Sequence, residues 1–371
     1  QLTFAVDGNI LHQTTGKCLW EDAADSGEET VCLTLKTAST GIVARYTQRV
    51  ICAGARKLTR GYRLSGESYQ LTLQRGVETT VERTVCVQVA HEGETLAMPQ
   101  PAPAFAALLS ENAAHWKAFW DMSDVEIGGD TLNQQGVRYC LFQLHSTYRG
   151  LSPRNNIGAK GLTGEAYNGH AFWDTETYGL PFYLLSDPAA ARHLLLYRYH
   201  TLSQAMERAR QLDLVGACYP IATMDGTEAC TLWQHSSLQM QPSTSVAYAI
   251  QTYADMTGDT AFLHREGAEM LVQIARYVLA RGGWNEHGFG FYGVMGPDEF
   301  HMMVSNDFYT NYLGKKTLAY AAEVVGSIRG EALEALRQKT GLADGEAAAW
   351  REAAEKMILL RRVDGVFEQH E

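Results

Sequence analysis

Residues 293–311, GVMGPDEFHMMVSNDFYTN, set two adjacent carboxylates, Asp298 and Glu299, beside His301, aromatic rings and side-chain amides in an otherwise apolar neighbourhood. Two other stretches carry a similar mixture. GHAFWDTETYGLPFY brings His170, Trp173, Asp174 and Glu176, and YPIATMDGTEACTLW brings Asp225, Glu228 and Trp233. Acids next to aromatic rings suit a sugar, because carboxylates accept paired hydrogen bonds from hydroxyl groups while ring faces cover the C–H side of the pyranose. Breaking a glycosidic bond asks in addition for a carboxylic acid kept protonated near neutrality, which burial against aromatics achieves by disfavouring the charged form. The Asp298–Glu299 pair is the candidate for that acid.

Each cluster also has a plainer reading. Pro297-Asp298-Glu299 could cap the following helix, with Asn306 and Asp307 as ordinary first-turn residues, and Trp173 could be a core tryptophan beside a solvated Asp174. His170 and His301 read as hydrogen-bonded structural histidines, since no metal-type spacing joins them. Met302 and Met303 read as core, and Cys218 and Cys230 as buried small residues. What favours chemistry is that three mixed clusters are expected on one face of the fold.

That expectation comes from the elements around them. Residues 1–97 run in short alternating stretches such as ESYQLTLQRGVETTVERTVCVQVA, punctuated by Gly-containing turns, and read as antiparallel strands. Three prolines in AMPQPAPAF mark a boundary. A linker region, 98–130, follows, with a helix whose Leu109, Ala113, Trp116 and Trp120 share one face. From 131 to 371 the apolar period becomes 3.6, with Asp187 and Pro188 placed to start a helix. Long loops near 149–175, 212–242 and 282–306 alternate with short turns at 187 and at Gly258-Asp259. Antiparallel helix pairs therefore separate the long loops and put them on one face. Without a fixed-period repeat, a toroid of helical hairpins is preferred over a solenoid.

Composition narrows the partners. In 371 residues, 42 Asp+Glu face 31 Lys+Arg, and no basic stripe is present to neutralise phosphates along a nucleic acid. No run approaches the roughly 18 apolar residues of a membrane helix. Seven scattered cysteines without C-x-x-C suggest neither disulfides nor zinc, so a cytoplasmic, metal-free protein is expected. Phosphate-loop, dinucleotide and G-x-S-x-G fingerprints are absent. The chain opens within the strand-like QLTFAV and stops at DGVFEQHE, and both ends read as internal to a longer protein.

Four ordered blocks, GAKGLTGEAYNGHAFWDTETYGLPF (158–182), YPIATMDGTEAC (219–230), QPSTSVAYAIQTYADMTGD (241–259) and GVMGPDEFHMMVSNDFYTNYLGKKTL (293–318), resemble glycoside hydrolase family 65, the inverting α-glucoside phosphorylases. The resemblance implies a multidomain β + α fold: part of an antiparallel β-supersandwich, linker helices, then part of an (α/α)6 barrel. It also implies Glu299 as general acid and Trp173 and Asp174 as holders of the glucosyl unit. His170, Glu176, Asp298 and the 219–233 loop with Asp225, Glu228 and Trp233 would line or support that pocket. Where many relatives carry a histidine before the AYA helix, this chain has Gln239-Met240-Gln241-Pro242. The family's acceptor motif and its His- and Ser-bearing phosphate loop would lie beyond Glu371, so residues 1–371 alone are expected to be inactive and to need the C-terminal half.

The implied reaction is a glycosyltransferase-type phosphorolysis of an α-glucosidic disaccharide, with an α-1,2- or α-1,3-linked glucobiose favoured. Inorganic phosphate is the co-substrate, no cofactor is needed, and the full-length protein would be a homodimer. Two alternatives stand beside it: an inverting α-glucosidase or trehalase sharing the same acid, and a non-catalytic carbohydrate-binding protein.

Overall fold

In a computed structural model, residues 1–7, 11, 16–25, 31–38, 40–60, 65–91, 93–97, 102–162 and 166–371 are described. Pro99 and Pro101 of the proline-rich boundary, and residues 163–165 of the first block, lie outside them. The chain divides into two compact units, Gln1–Asp121 and Met122–Glu371.

The first unit holds two antiparallel sheets. One has the order β1-β6-β5, formed by β1 (Leu2–Val6), β5 (Arg56–Arg60) and β6 (Ser65–Gln70). The other runs β2-β3-β4-β7, formed by β2 (Trp20–Asp25), β3 (Val31–Thr37), β4 (Val43–Cys52) and β7 (Val81–Ala90). Side chains alternate across a strand, and β3 accordingly buries Val31, Leu33 and Leu35 while its intervening residues are more accessible. Strand β7 alternates as expected but turns Val85, Val87 and Val89 outward. In α1 (Phe105–Ser123) the buried residue is Phe119, in an aromatic cluster with Trp116 and Trp120, whereas Leu109 of the expected stripe is exposed.

The second unit is helical: α2 (Thr131–Thr147), α3 (Leu180–Ser186), α4 (Pro188–His200), α5 (Leu202–Gln211), α6 (Trp233–Leu238), α7 (Gln241–Thr257), α8 (Thr260–Phe262), α9 (Ala268–Arg281), α10 (Phe308–Ser327), α11 (Gly330–Thr340) and α12 (Glu346–Glu355). A short hairpin of β8 (Gly283–Asn285) and β9 (Gly288–Gly290) follows α9. Side-chain oxygens cap the helices where sequence chemistry places them. Asp187 accepts from Ala190 N at 3.1 Å to open α4, and Asp259 from Phe262 N at 3.0 Å to open α8. Gly258 takes the left-handed φ of 69° that ends α7. Helix α7 packs on α4, α9 and α10, and α10 on α9 and α12. Between them lies a core that includes Leu194, Ile250, Phe262, Leu271, Ile274, Leu318 and Trp350. Among the described residues, no helix is long and apolar enough to cross a membrane.

Candidate active site

The three mixed loops are stitched together by main-chain bonds. Ala171 and Thr223 exchange N–H···O bonds of 2.8 and 3.0 Å, joining the first loop to the second. Met295 N donates to Leu238 O at 3.1 Å, joining the third loop to the end of α6. Val294 and Val304 exchange bonds of 2.9 and 3.0 Å and close the base of the third loop.

In the first loop, the carbonyl of Trp173 accepts from Glu176 N and Thr177 N and so starts the wide turn Thr175–Gly179. The Trp173 ring stands edge-on to Tyr309 at the start of α10, centroids 6.1 Å apart, and beside Tyr178 at 6.0 Å. Asp174 is exposed at the head of that turn. His170 is fixed through Nδ1 to Tyr167 O at 2.8 Å. Glu176 is fully buried, and both its oxygens accept from Arg198, at 2.7 and 2.9 Å. Arg198 also donates to Phe172 O at 3.2 Å, so the pair anchors the loop to α4 from behind. Burial alone would disfavour the Arg198 charge, but the Glu176 carboxylate outweighs it and holds the guanidinium above its ordinary value.

In the second loop, Glu228 accepts from the backbone N–H groups of Ile221 (2.8 Å) and Cys230 (2.9 Å), which makes it a staple for the loop. Asp225 is exposed and accepts from Thr227 N at 2.9 Å. Burial would raise its pKa, yet the Thr227 bonds prevail and hold it below the ordinary range, helped by nearby His170. Trp233 opens α6 and is exposed. A cleft of about 450 Å³ between α5 and this loop is lined by Gln204, Arg208, Thr227, Glu228 and Cys230; neither Glu299 nor Trp173 is on its wall.

In the third loop the two acids have different surroundings. Asp298 Oδ2 accepts from Gln369 Nε2 at 2.9 Å and from His301 Nδ1 at 2.7 Å, and Oδ1 from Phe300 N at 3.2 Å. Those bonds, the Gln369 one foremost, pull the Asp298 carboxyl from an ordinary 3.8 to about 2. Glu299 Oε1 accepts from Gln239 Nε2 at 2.8 Å and lies 3.2 Å from His235 Nδ1. Its side chain is 52% exposed and Phe300 points into solvent, so burial against aromatics is not what surrounds this acid. The helix cap expected of Pro297-Asp298-Glu299 is supplied instead by Asp307, whose Oδ1 accepts from Thr310 N at 2.8 Å. A Cβ on Gly296 would sit 2.5 Å from that carboxylate, which requires glycine there. Met302 and Met303 are exposed rather than core, and Met303 takes a left-handed φ of 61° just before the Val294–Val304 closure.

The chain's last residues brace this loop. Phe308 N donates to Gln369 O at 2.7 Å, Asn306 Nδ2 to Glu371 Oε1 at 2.6 Å and Glu371 N to Ser305 O at 3.0 Å. Because the folded-state pKa of Asp298 is depressed, its pairing stabilises the docked segment above about pH 3.8 and is lost as pH falls toward about 2. Protection of Phe308 N and Glu371 N against hydrogen exchange, measured relative to the intrinsic rate at each pH, is expected to fall over that window, and Asp298→Asn should remove that change in protection. Among the described residues, no group of three or more His, Cys, Asp or Glu side chains could hold a metal ion.

The central catalytic domain of glycosyl hydrolase family 65 matches residues 138–371. The chain belongs to that family. It is 38% identical over 245 residues to the maltose phosphorylase of Bacillus subtilis (65% of this chain, 32% of that protein). It is 40% identical over 256 residues to the alpha,alpha-trehalose phosphorylase of Geobacillus stearothermophilus (68% and 33%). With the kojibiose phosphorylase of Halothermothrix orenii the identity is 34% over 276 residues (69% and 35%). A solved structure of a candidate kojibiose phosphorylase from the human microbiome superposes with a TM-score of 0.87 at 38% identity, covering 99% of this chain and 51% of that one. The chain thus spans about a third of the length of these curated relatives. Its order of antiparallel sheets followed by helical hairpins is that of the family 65 fold.

Arg198, His235 and Gln369 lie outside the three mixed clusters that stand out in the sequence, and Gln239 stands out there only as a departure from relatives. Arg198 had a usable sign: one arginine within the apolar run HLLLYRYH must find a buried anion. His235 and Gln239 are four residues apart, the spacing at which helical side chains align. Gln369 carried no comparable sign.

Proposed function

We propose that the protein carrying this chain is an inverting disaccharide phosphorylase, converting an α-glucosidic disaccharide and inorganic phosphate to β-glucose 1-phosphate and a free sugar. The observation that carries this reading is the contrast between neighbours in the G-P-D-E block. Asp298 is locked as an ion by Gln369 and His301, whereas the half-exposed Glu299 keeps Oε2 without a partner among the described residues. The phosphorylase names of several family relatives support it.

Glu299 gives its proton to the glycosidic oxygen as the C1–O bond breaks, the bonding pair leaving with the sugar oxygen. A phosphate oxygen attacks C1 from the opposite face, so the α-linkage becomes a β-phosphate. Phosphate is already anionic and needs no protein base. Trp173 and Asp174 hold the glucosyl ring and stabilise charge at the oxocarbenium-like centre. The full-length protein acts as a homodimer, with α-1,2- or α-1,3-glucobiose as preferred substrate. Supplying phosphate together with 1,2-, 1,3- and 1,4-linked glucobioses and trehalose, one at a time, tests the linkage. Fastest turnover is expected with the 1,2- or 1,3-isomer; a preference for trehalose or maltose above tenfold would overturn that choice.

A further inference from the structure

Glu299 is gripped on one side only. Gln239 Nε2 donates to its Oε1 at 2.8 Å, His235 Nδ1 lies 3.2 Å from the same oxygen, and Gln239 Nε2 and His235 Nδ1 are themselves 3.4 Å apart. His235 lies within α6 and Gln239 is its C-cap, and the Met295 N–Leu238 O bond brings that stretch under the acid loop. The amide of Gln239 is buried, and its nitrogen sits between the Glu299 carboxylate and Met295 Sδ at 3.2 Å. Turning the amide over would set its oxygen against both electron-rich atoms, so this orientation is the stable one. Its own Oε1 is buried without a partner among the described residues. A buried acceptor left unpaired costs free energy, which the donor end's bond to the Glu299 carboxylate offsets.

We infer that His235 and Gln239 are positioning residues for Glu299: both hold Oε1, which leaves Oε2 as the oxygen that carries the proton delivered to the glycosidic oxygen. This rests on the reading of Glu299 as the proton donor. In the protonated acid, Oε1 is the carbonyl oxygen and accepts the two N–H donors, and the O–H on Oε2 faces the substrate. As the Oε2–H bond breaks, its electron pair stays on the carboxylate and the proton moves to the leaving oxygen. The two donors then strengthen against the new charge, which is the condition for an interaction that accelerates the step. His235 must present Nδ1–H for this, fixing its tautomer. Among the described residues, Cys230 of the second loop senses the Glu299 charge, and Asp298 alongside is turned to Gln369 and His301.

The test compares Gln239→Leu, His235→Ala and Glu299→Gln in the full-length protein on a disaccharide and on α-glucosyl fluoride, with phosphate, across pH. Fluoride leaves without a proton, so only disaccharide turnover needs the acid. Gln239→Leu and His235→Ala should each lower kcat/KM on the disaccharide by about 10- to 100-fold while changing the fluoride rate by less than about threefold. Their alkaline limb should move to higher pH, because the ionised carboxylate has lost a donor. His235→Asn, whose amide donates from near the Nδ1 position, should recover much of the loss; its side chain is only partly buried, which keeps this arm informative if the Gln239 variant misfolds. Equal losses on both substrates with an unmoved pH profile, alongside a disaccharide-selective loss in Glu299→Gln, would overturn the positioning role alone. If Glu299→Gln itself shows no selective loss, the proton-donor reading and this inference fall together.

Discussion

Glu299→Gln in the full-length protein should lower disaccharide turnover by about 100-fold or more, because the amide preserves shape and removes the transferable proton. Oε1 already accepts from Gln239 at 2.8 Å, so a glutamine oxygen can take that place and the loop should keep its form. The loss should grow with the basicity of the leaving sugar oxygen and nearly vanish for α-glucosyl fluoride. Steady-state rates over such a series decide the matter, and near-normal turnover on a disaccharide would show that the proton comes from elsewhere.

The largest effect on stability is expected behind the site, at Glu176 and Arg198. Their side chains are 1% and 0% exposed, and one Arg198 nitrogen, Nη1, already lacks a partner among the described residues. Glu176→Leu would leave a guanidinium buried with no counter-charge, a defect of about 3–5 kcal/mol. A denaturation midpoint should fall accordingly, and Phe172, Trp173 and Asp174 should lose their anchor, raising KM. The double change Glu176→Leu with Arg198→Met should recover most of the midpoint, since a well-packed apolar pair avoids the desolvation cost. A single variant as stable as the parent would contradict the buried-pair account.

Local chemistry was the most legible part of the sequence. Asp187, Asp259 and Gly258 start or stop helices where short-range rules place them, and the three mixed loops are tied to one another as their alternation with helix pairs required. Periodicity showed that β7 and α1 have two kinds of face, but not which face is covered: Val85, Val87 and Val89 point outward, and Phe119 rather than Leu109 is buried. The acids separated less well. Glu176, Glu228, Asp298 and Glu299 look alike in sequence, and their roles diverge only through distant partners: Arg198, the Ile221 and Cys230 amides, Gln369, and Gln239. The Glu228 partners lie within its own loop, where only the fold of that loop turns the two amides inward, whereas Arg198, Gln369 and Gln239 are 22 to 71 residues from the acids they meet, and tertiary packing brings them there.

The central claim is inverting phosphorolysis, and the most direct measurement is proton NMR of the full-length protein acting on an α-linked glucobiose with and without inorganic phosphate. The account predicts that cleavage requires phosphate and that the first anomeric signal to grow is that of β-glucose 1-phosphate. Release of free glucose from both halves of the disaccharide at the same rate without phosphate, or a first-formed α-phosphate, would contradict it.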